Sequence, residues 1–266
     1  MNFAVCAIVK NENKYLNEWI EHYKKLGFSL IYIFDNNDIN GEDPKDIISD
    51  KIVFINSDYR GKHDKFYQPE CYTKFYNENK HLYDWILFCD IDEFLILENY
   101  NTIEEFILSN NEFNNYDAIA ICWKIYDDNN LIYYENKPVM ERFTHPSETT
   151  TNNTQIKSLI KCQNKYLSIC AHGAYNIKYC NVLGEKIENL KFPRIGQVPI
   201  HKKCWINHYR YKTIEEYILS KYKNFTQKYI YSKYIGFEYF FSVNKFTNEK
   251  LNIIKSYGLN YEHNIK

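Results

Sequence analysis

The stretch Trp85-Ile-Leu-Phe-Cys-Asp90-Ile-Asp92-Glu93-Phe-Leu-Ile-Leu97 is the most informative part of this chain. An apolar run long enough for a buried strand ends in three carboxylates within four positions, and apolar residues then resume. Because unpaired buried carboxylates are costly, such residues lie at the exposed carboxyl end of a strand, in an ion pair or on a metal. In an extended segment Asp90 and Asp92 project to the same side, so together they can address one oxygen-seeking cation. A solvated strand end or a helix cap is the simpler interpretation of a short acidic motif.

Two apolar runs near the start of the chain also end in polar residues. Residues 3–9 and 30–34 are continuously apolar, which predicts two buried strands of a mainly parallel sheet, joined by an amphipathic helix. Ligands of such sheets bind at the carboxyl ends of the strands, where Lys10, Glu12 and Asp35 follow. These three residues are therefore candidate ligand contacts, although capping or turn formation is the simpler interpretation of each one alone.

The remaining patterns predict shorter elements. With a strand near 51–55, a helix over 68–80 and the acidic stretch, the first hundred residues have a β-α-β-β-α-β order with a right-handed crossover. The further predicted elements are helices over 102–109 and 213–221, each opened by a capping box, a strand over 118–126, and short strands within 156–169 and 175–182. The polar residues 127–155 predict a mobile loop, and residues 184–197 an irregular segment.

The composition is that of a globular chain with no affinity for nucleic acid. Hydrophobic residues make up 45% and charged residues 25% of the 266 residues, and the net charge is −1. No global field therefore attracts a nucleic acid. The sequence has no basic segment followed by a long apolar one at its start, and no apolar run long enough to span a membrane, so we expect a cytoplasmic protein.

The eight cysteines are expected to be free thiols. No C-x-x-C pair occurs, and Cys6, Cys89 and Cys122 lie inside apolar runs, where a reduced cysteine packs as a small hydrophobic residue. Reduced thiols also agree with the cytoplasm better than a disulfide framework does.

The acidic stretch suits a hard divalent cation. Carboxylate oxygens favour Mg²⁺ or Mn²⁺, which keep open positions for phosphate oxygens. Since the sequence has no glycine-rich phosphate loop, a bound nucleotide would need a metal to hold its phosphates. An imidazole can complete the shell of Mn²⁺, and His208 is the best candidate because Tyr, Arg and Lys flank it. Arg210 and Lys212 can neutralise a diphosphate, whereas a structural histidine and surface charges are the simpler interpretation of each residue alone.

Several short motifs occur in an order that resembles a known group of enzymes. The pieces cover roughly residues 4 to 221 and are Val9-Lys-Asn-Glu12, Tyr15-Leu-Asn-Glu-Trp-Ile20, Leu26-Gly27, Ile33-Phe-Asp-Asn36, Trp85-Ile-Leu-Phe-Cys-Asp-Ile-Asp-Glu-Phe94, Glu141-Arg-Phe143, Ile156-Lys-Ser158 and Asn207-His-Tyr-Arg-Tyr-Lys-Thr213. In these pieces the chain resembles bacterial members of the glycosyltransferase family 92 and family 2-like group, which have the GT-A fold. Each piece is weak by itself, and their common order carries the resemblance.

The resemblance implies an α/β fold of the GT-A type, a Rossmann-like fold for nucleotide-diphosphate sugars with a mainly parallel central sheet. A glycosyltransferase domain would span residues 1–221, with a nucleotide-sugar-binding half over 1–100 and an acceptor-binding half over 101–221. Residues 222–266, rich in Tyr, Phe and Lys, would form a helical extension or a basic, aromatic face for peripheral contact with the inner face of the cell membrane.

The resemblance also implies how a nucleotide-diphosphate sugar donor is bound. Asp92 and His208 would ligate Mn²⁺ or Mg²⁺ at the diphosphate, and Asp90 would contact the ribose or a phosphate-bound water. The other implied donor-binding residues are Lys10, Glu12, Asp35, Arg210 and Lys212.

The acceptor implied by the resemblance is a glycan or a lipid-linked glycan, whose hydroxyl group needs a base for an inverting displacement. Asp127 or Asp128, after the strand predicted over 118–126, is the candidate base, and Glu148 is the fallback. His172 would contact the acceptor. The family has different residues after this strand, so the choice of base stays open.

Three functions therefore compete. The first is a metal-dependent glycosyltransferase that moves a sugar, from a donor such as a UDP-sugar, to a cell-surface glycan. The second is a metal-dependent phosphohydrolase that uses the same carboxylates on a nucleotide sugar. The third is a non-catalytic sugar-binding protein whose acidic residues are structural.

Overall fold

The protein has a mixed α/β fold built on one central sheet. The computed structural model describes residues 1–48, 52–62, 66–147, 153–188, 190, 198–222, 236–259 and 261. The chain forms two compact units, the first comprising Met1–Lys124 and Thr150–His208 and the second Ile125–Thr149 and Tyr209–Lys266. The predicted domain boundary at residue 221 stays a prediction.

The described residues form ten strands and eight α-helices. The strands are β1 Phe3–Val9, β2 Leu30–Asp35, β3 Val53–Asn56, β4 Trp85–Phe88, β5 Glu93–Leu97, β6 Ala118–Ile125, β7 Ile156–Lys161, β8 Tyr179–Asn181, β9 Lys186–Ile187 and β10 Cys204–His208. The helices are α1 Leu16–Lys25, α2 Pro44–Ile47, α3 Gln68–Asn79, α4 Ile103–Leu108, α5 Val139–Arg142, α6 Ile214–Tyr217, α7 Phe237–Phe241 and α8 Asn248–Ser256. The strands and helices predicted for the first hundred residues agree with β1 to β4, α1 and α3 to within one or two residues at the described ends.

The sheet is mixed, and the prediction of a mainly parallel sheet is therefore wrong. Its strand order is β3-β2-β1-β4-β7-β6-β10-β5, with β8 beside β6 and β9 beside β8. The first four strands of this order are parallel, whereas β7 is antiparallel to both of its neighbours and β10 is antiparallel to β5. Parallel neighbours need a long crossover, usually a helix, and α1 and α3 supply it in the first hundred residues. Later in the chain, β8 is parallel to β6, and the segment between them contains α5 and β7.

The centre of the sheet is buried on both faces. Every residue of β4 and nearly every residue of β1 is buried, which explains their unbroken apolar sequences. On one face α3 packs Tyr72, Phe75 and Tyr76 into a core cluster that also contains Phe88 of β4. The carboxyl end of β4 therefore lies between β1 and β7 and packs against α3, so the residues that follow it begin from a defined position.

The second unit contains part of the segment that was predicted to be a mobile loop. That prediction is wrong for residues 139–142, which form α5, because Arg142 makes a buried ion pair with Glu216 (Nη1 to Oε2, 2.8 Å). Glu216 also completes the predicted capping box with Thr213 at the start of α6. The described part of the predicted C-terminal extension, 236–259, is largely helical and contains α7 and α8.

Two further expectations concern membranes and thiols. None of the described helices is both long and apolar enough to cross a membrane. All eight cysteines are described and all are free thiols, as predicted.

Candidate functional site

The candidate site lies where the strand order reverses. From β1 the chain moves outward through β2 and β3, and it then returns to the other side of β1 as β4. In open α/β sheets such a reversal leaves a crevice beyond the carboxyl ends of the two strands, and ligands bind there. The segments that follow β1 and β4 therefore begin at the same edge of the sheet. The pairing of the two strands continues to Cys89, whose N–H donates a hydrogen bond to Cys6 O over 3.1 Å.

The acidic residues after β4 form a tight turn, which we call the acidic turn (residues 90–93). Glu93 N donates to Asp90 O over 3.1 Å, and Asp90 N donates to the Glu93 side chain over 2.8 Å. The indole N–H of Trp19, on α1, donates to the carbonyl oxygens of Asp90 and Glu93. The prediction that Asp90 and Asp92 lie in an extended segment is wrong, because residues 89–92 form no strand, and the two carboxylates contact different partners.

Asp90 is held by two side chains. Gln68, the first residue of α3, donates to Oδ1 over 2.5 Å, and Lys157 of β7 donates to Oδ2 over 2.7 Å. Lys157 reaches Asp90 because β7 runs antiparallel beside β4. The Asp90 side chain is still 34% exposed, so it remains accessible to a small polar ligand.

Asp92 lies beside His208. Since β5 pairs antiparallel with β10, the register sets His208 opposite Glu93. His208 Nε2 is 3.5 Å from Asp92 Oδ1, and His208 Nδ1 is 3.9 Å from Glu93 Oε1. All three side chains are buried. In the described part of the chain, His208 Nδ1 and Glu93 Oε1 have no hydrogen-bond partner, which is uncommon for buried polar atoms.

The pair of Asp92 and His208 fits a divalent cation. Mn²⁺ accepts carboxylate oxygen and imidazole nitrogen, and the 3.5 Å between Asp92 Oδ1 and His208 Nε2 is close to the about 3 Å between neighbouring ligands of an octahedral ion. A neutral His208 with its proton on Nδ1, the ring nitrogen nearer to Glu93, presents the Nε2 lone pair beside Asp92 Oδ1. Among the described residues no three His, Cys, Asp or Glu side chains are arranged to hold a metal by themselves. Substrate phosphates and water commonly supply the other ligands of such ions.

Lys157 balances the negative charge of the acidic turn. Its ammonium group is 2.7 Å from Asp90 Oδ2 and 3.3 Å from Glu93 Oε2. Burial by itself lowers the pKa of Lys157, but Asp90 and Glu93 outweigh burial and raise the pKa above its ordinary value. Burial raises the pKa of Glu93, and Lys157 opposes that shift. One buried cation is thus shared by two carboxylates of the turn.

His172 belongs to the same cluster of side chains. The ring of Trp123 contacts two imidazoles, with centroid distances of 4.3 Å to His208 and 5.5 Å to His172. His172 Nδ1 lies 2.9 Å from Ile156 O, so the ring carries its proton on Nδ1. Burial, with a further contribution from Lys157, lowers the pKa of His172 to about 4, and the ring is neutral at neutral pH. Its predicted contact with an acceptor stays a prediction.

A polar cleft lies beyond the ends of β1 and β2. It has a volume of about 240 Å³ and is lined by Asn11, Asn13, Lys14, Asn37 and Glu42. The amides are linked to one another: Asn37 Nδ2 donates to Asn13 Oδ1 over 2.9 Å, and Asn13 Nδ2 donates to Glu42 O over 2.7 Å. Because amides carry both donors and acceptors, such a lining suits the polar edge of a planar base.

Three of the predicted donor-binding residues lie at this edge of the sheet. Burial lowers the pKa of Lys10, and the Glu12 side chain is buried. Asp35 is fully buried, and its Oδ2 accepts a hydrogen bond from Arg60 over 2.8 Å. Arg60 also donates to Gly41 O, so the Asp35 pair shapes the loop that lines the cleft. Direct contact of these residues with a donor stays a prediction.

The two candidate bases lie in the second unit and differ in environment. Asp128 is buried in an ion pair with Lys250, and its backbone N–H donates to Asn244 Oδ1 over 2.7 Å. Burial raises the pKa of Asp128, and Lys250 opposes that shift. The Asp127 side chain is 31% exposed, and its Oδ1 is 4.0 Å from His145 Nδ1. Asp127 is therefore the more accessible of the two carboxylates, and the role of either as a base stays a prediction.

Arg210 and Lys212 follow His208 in sequence but belong to the second unit. The guanidinium group of Arg210 lies 5.8 Å from the ring centre of Tyr211. Lys212 is buried, with a positive φ of 55°. Their contact with a diphosphate stays a prediction, and Glu148 lies outside the described residues.

Several side chains of the site received no individual role from the sequence: Gln68, Glu93, Trp123 and Lys157. Lys157 could have been found from the sequence, because a lysine within a buried apolar strand such as β7 indicates a buried acidic partner. For Glu93 the only indication was its position in the acidic stretch. Gln68 opens a helix and Trp123 lies in an apolar strand, and neither position distinguishes a site residue from a structural one.

Comparisons with known proteins leave the family undecided. No protein-family model matches the sequence, and no curated protein matches it. Among solved structures, the chain is similar to the crystal structure of S. aureus TarS, with a TM-score of 0.38 and 14% sequence identity. The similarity covers 65% of this chain and 32% of TarS, so the chain spans about a third of that protein. Because this similarity is low, the function proposed below rests on this chain's own residues.

Proposed function

We propose that the protein is a metal-dependent glycosyltransferase that moves a sugar from a nucleotide-diphosphate donor, such as a UDP-sugar, to a hydroxyl group of a glycan acceptor. The observation that carries this proposal is the buried pair of Asp92 and His208, with 3.5 Å between Oδ1 and Nε2, at the strand reversal of an α/β sheet. The ordered motifs that include both residues support the same function.

In this proposal the donor binds along the edge formed by β1, β2 and β4. Asp92 and His208 would hold Mn²⁺ or Mg²⁺, and the ion would supply positive charge against the negative charge of the diphosphate leaving group. Asp90 accepts a hydrogen bond from the ribose or from a phosphate-bound water. The cleft lined by Asn11, Asn13 and their neighbours receives the base.

The acceptor hydroxyl must lose a proton as it attacks the sugar. Asp127 is the better candidate for this general base, because a partly exposed carboxylate can take up a proton whereas Asp128 is held by Lys250. His172 is neutral near pH 7 and can exchange hydrogen bonds with an acceptor hydroxyl. We propose an inverting displacement with a glycan or lipid-linked glycan as the acceptor.

Thermal melting with UDP, GDP and CDP, each with and without Mn²⁺, tests the proposal. A ligand that binds only the folded state raises its stability, by about 2.7 kcal/mol at roughly 100 times its Kd. We expect one nucleotide to raise the melting temperature only when Mn²⁺ is present. The absence of any shift with all three nucleotides would contradict a metal-dependent nucleotide site.

The competing phosphohydrolase is distinguished by its products. A transferase consumes the nucleotide sugar in proportion to the glycosylated acceptor that it forms. Release of sugar 1-phosphate and nucleoside monophosphate at the same rate with and without an acceptor would favour the phosphohydrolase instead.

A further inference from the structure

Lys157 is an almost completely buried cation of the site and makes three contacts. The side chain is 1% exposed, and its ammonium group contacts Asp90 Oδ2 at 2.7 Å, Ala171 O at 3.0 Å and Glu93 Oε2 at 3.3 Å. An ammonium group has three N–H donors, and these acceptors match them in number. These three acceptors therefore fix the orientation of the Lys157 ammonium group.

Lys157 contacts residues that lie before and after Asp92 in the sequence. Asp90 precedes Asp92 and Glu93 follows it, and the Glu93 carboxylate also accepts the hydrogen bond from Asp90 N that closes the acidic turn. A single ammonium group thus ties together the two ends of the turn. The direction of the Asp92 side chain, and its 3.5 Å distance to His208, depends on how that turn is held.

We propose that Lys157 is a positioning residue that fixes the acidic turn so that Asp92 and His208 can bind a divalent cation together. This inference rests on the proposed function, since it concerns the same cation site. Outer groups that orient metal ligands typically contribute a factor of about 10 to 100 in metal affinity.

The direction in which cation affinity changes when Lys157 is removed distinguishes a positioning role from a purely electrostatic one. A positive charge close to a cation site repels the cation, so its removal tightens cation binding if charge alone matters. Loss of a positioning contact has the opposite effect, because the ligands are no longer held in a common geometry. Weaker binding after removal of Lys157 therefore identifies the positioning role.

The test is a titration of the purified full chain with Mn²⁺ alone, in which electron paramagnetic resonance measures the free ion. We expect Lys157→Met to weaken Mn²⁺ binding by about tenfold or more. Lys161→Met is the matched control, because Lys161 lies on the same strand with its ammonium group 5.9 Å from the ring of Trp85, at the other end of β4. The control should bind Mn²⁺ as the wild type does. Unchanged or tighter binding by Lys157→Met would overturn the proposal.

A second variant covers the case in which Lys157→Met does not fold because two buried carboxylates lose their cation. The double variant Lys157→Met/Glu93→Gln removes one charge of each sign, and replacing both members of a buried pair is tolerated far better than replacing one. Because Glu93 itself closes the acidic turn, Glu93→Gln alone is the reference: we expect the double variant to bind Mn²⁺ about tenfold more weakly than Glu93→Gln, and equal affinity of the two would overturn the proposal. If the wild type does not bind Mn²⁺, both the metal-dependent function and this inference fail. If the wild type binds Mn²⁺ and Lys157→Met binds it with the same affinity, this inference fails and the proposed function stands.

Discussion

In the proposed function, the carboxylate of Asp92 is the charged protein ligand of the divalent cation. Its Oδ1 is one of the two protein atoms that face each other where a cation would bind, and the other is His208 Nε2. An amide in place of the carboxylate keeps the shape of the side chain but removes the charge that a hard cation prefers. Substitution of Asp92 by asparagine therefore tests cation binding with little change to the fold.

We expect Asp92→Asn to abolish the Mn²⁺-dependent rise in melting temperature with the nucleotide while leaving the melting temperature without ligand nearly unchanged. Asp58→Asn is the control, because the Asp58 side chain is 64% exposed and its ion pair with Lys74 is long, at 3.7 Å. Differential scanning fluorimetry of the two variants measures the effect. A full nucleotide shift in Asp92→Asn would exclude this carboxylate as a ligand.

His172 gives the folded protein a dependence on pH that can be assigned to one residue. Burial lowers its pKa from 6.5 to about 4, so the unfolded chain binds a proton between these values that the folded chain does not bind. Stability therefore decreases as the pH falls from 6.5 towards 4, and above 6.5 this contribution is constant. At about pH 4.5 the loss amounts to roughly 2.5 kcal/mol relative to neutral pH.

We expect His172→Gln to lose less stability than the wild type between pH 7 and about pH 4.5, by roughly 2 kcal/mol in urea unfolding. His145→Gln, at a side chain that is 66% exposed, is the matched control and should follow the wild type. If His172→Gln loses as much stability as the wild type, His172 is not buried in its neutral form.

At the scale of the elements, the start of each helix depends on how its first N–H groups are satisfied. Thr102 and Thr213 each accept a hydrogen bond of 3.2 Å from the backbone N–H three residues later. At Thr213 the bond is buried, and the hydroxyl also donates to Glu216 over 2.9 Å. At Thr102 the bond is exposed, and Glu105 accepts from Asn101 instead of completing a capping box.

Thr213→Ala should therefore cost more stability than Thr102→Ala. We expect about 2 kcal/mol at the buried capping box and about 1 kcal/mol at the exposed cap, because water can replace the lost hydroxyl only at the exposed site. Urea unfolding of both variants measures the difference. Equal losses would mean that burial of the cap does not matter.

At the scale of the whole molecule, the eight thiols report how completely the first unit is folded, because all of them lie in it. Six of the cysteines are buried, whereas Cys162 and Cys170 are half-buried. Burial raises the pKa of Cys162 to about 12, which further slows its reaction because the thiolate is the reactive form.

Under native conditions we expect iodoacetamide to label Cys170 first, Cys162 slowly and the six buried thiols only on unfolding. Mass spectrometry after labelling gives the sites, and labelling in denaturant should give all eight. The reductant should leave the melting temperature unchanged, since all eight cysteines are free. Rapid native labelling of Cys6 or Cys89 would contradict the burial of β1 and of the acidic turn.

Several elements could be predicted because their signals are local. The unbroken apolar sequence of β1 and β4, the periodicity of α1 and the capping box at Thr213 all arise from neighbouring residues, and each prediction is confirmed. The polar residues after each strand likewise marked one edge of the sheet. Asp127 and Asp128 looked equivalent in sequence, but only the folded second unit distinguishes them, because Lys250 comes from a distant helix.

By itself the sequence determined where β1 to β4, α1 and α3 form, that the thiols are free, and that carboxylates follow the buried strand β4, since burial patterns and caps depend on residues close together in the chain. Tertiary structure alone decided that the acidic motif is a turn, that the sheet is mixed, and that Lys157 and His208 reach that turn. Those contacts depend on strand pairing between distant segments, and the register of such pairing is fixed by the packing of the whole sheet rather than by any local pattern.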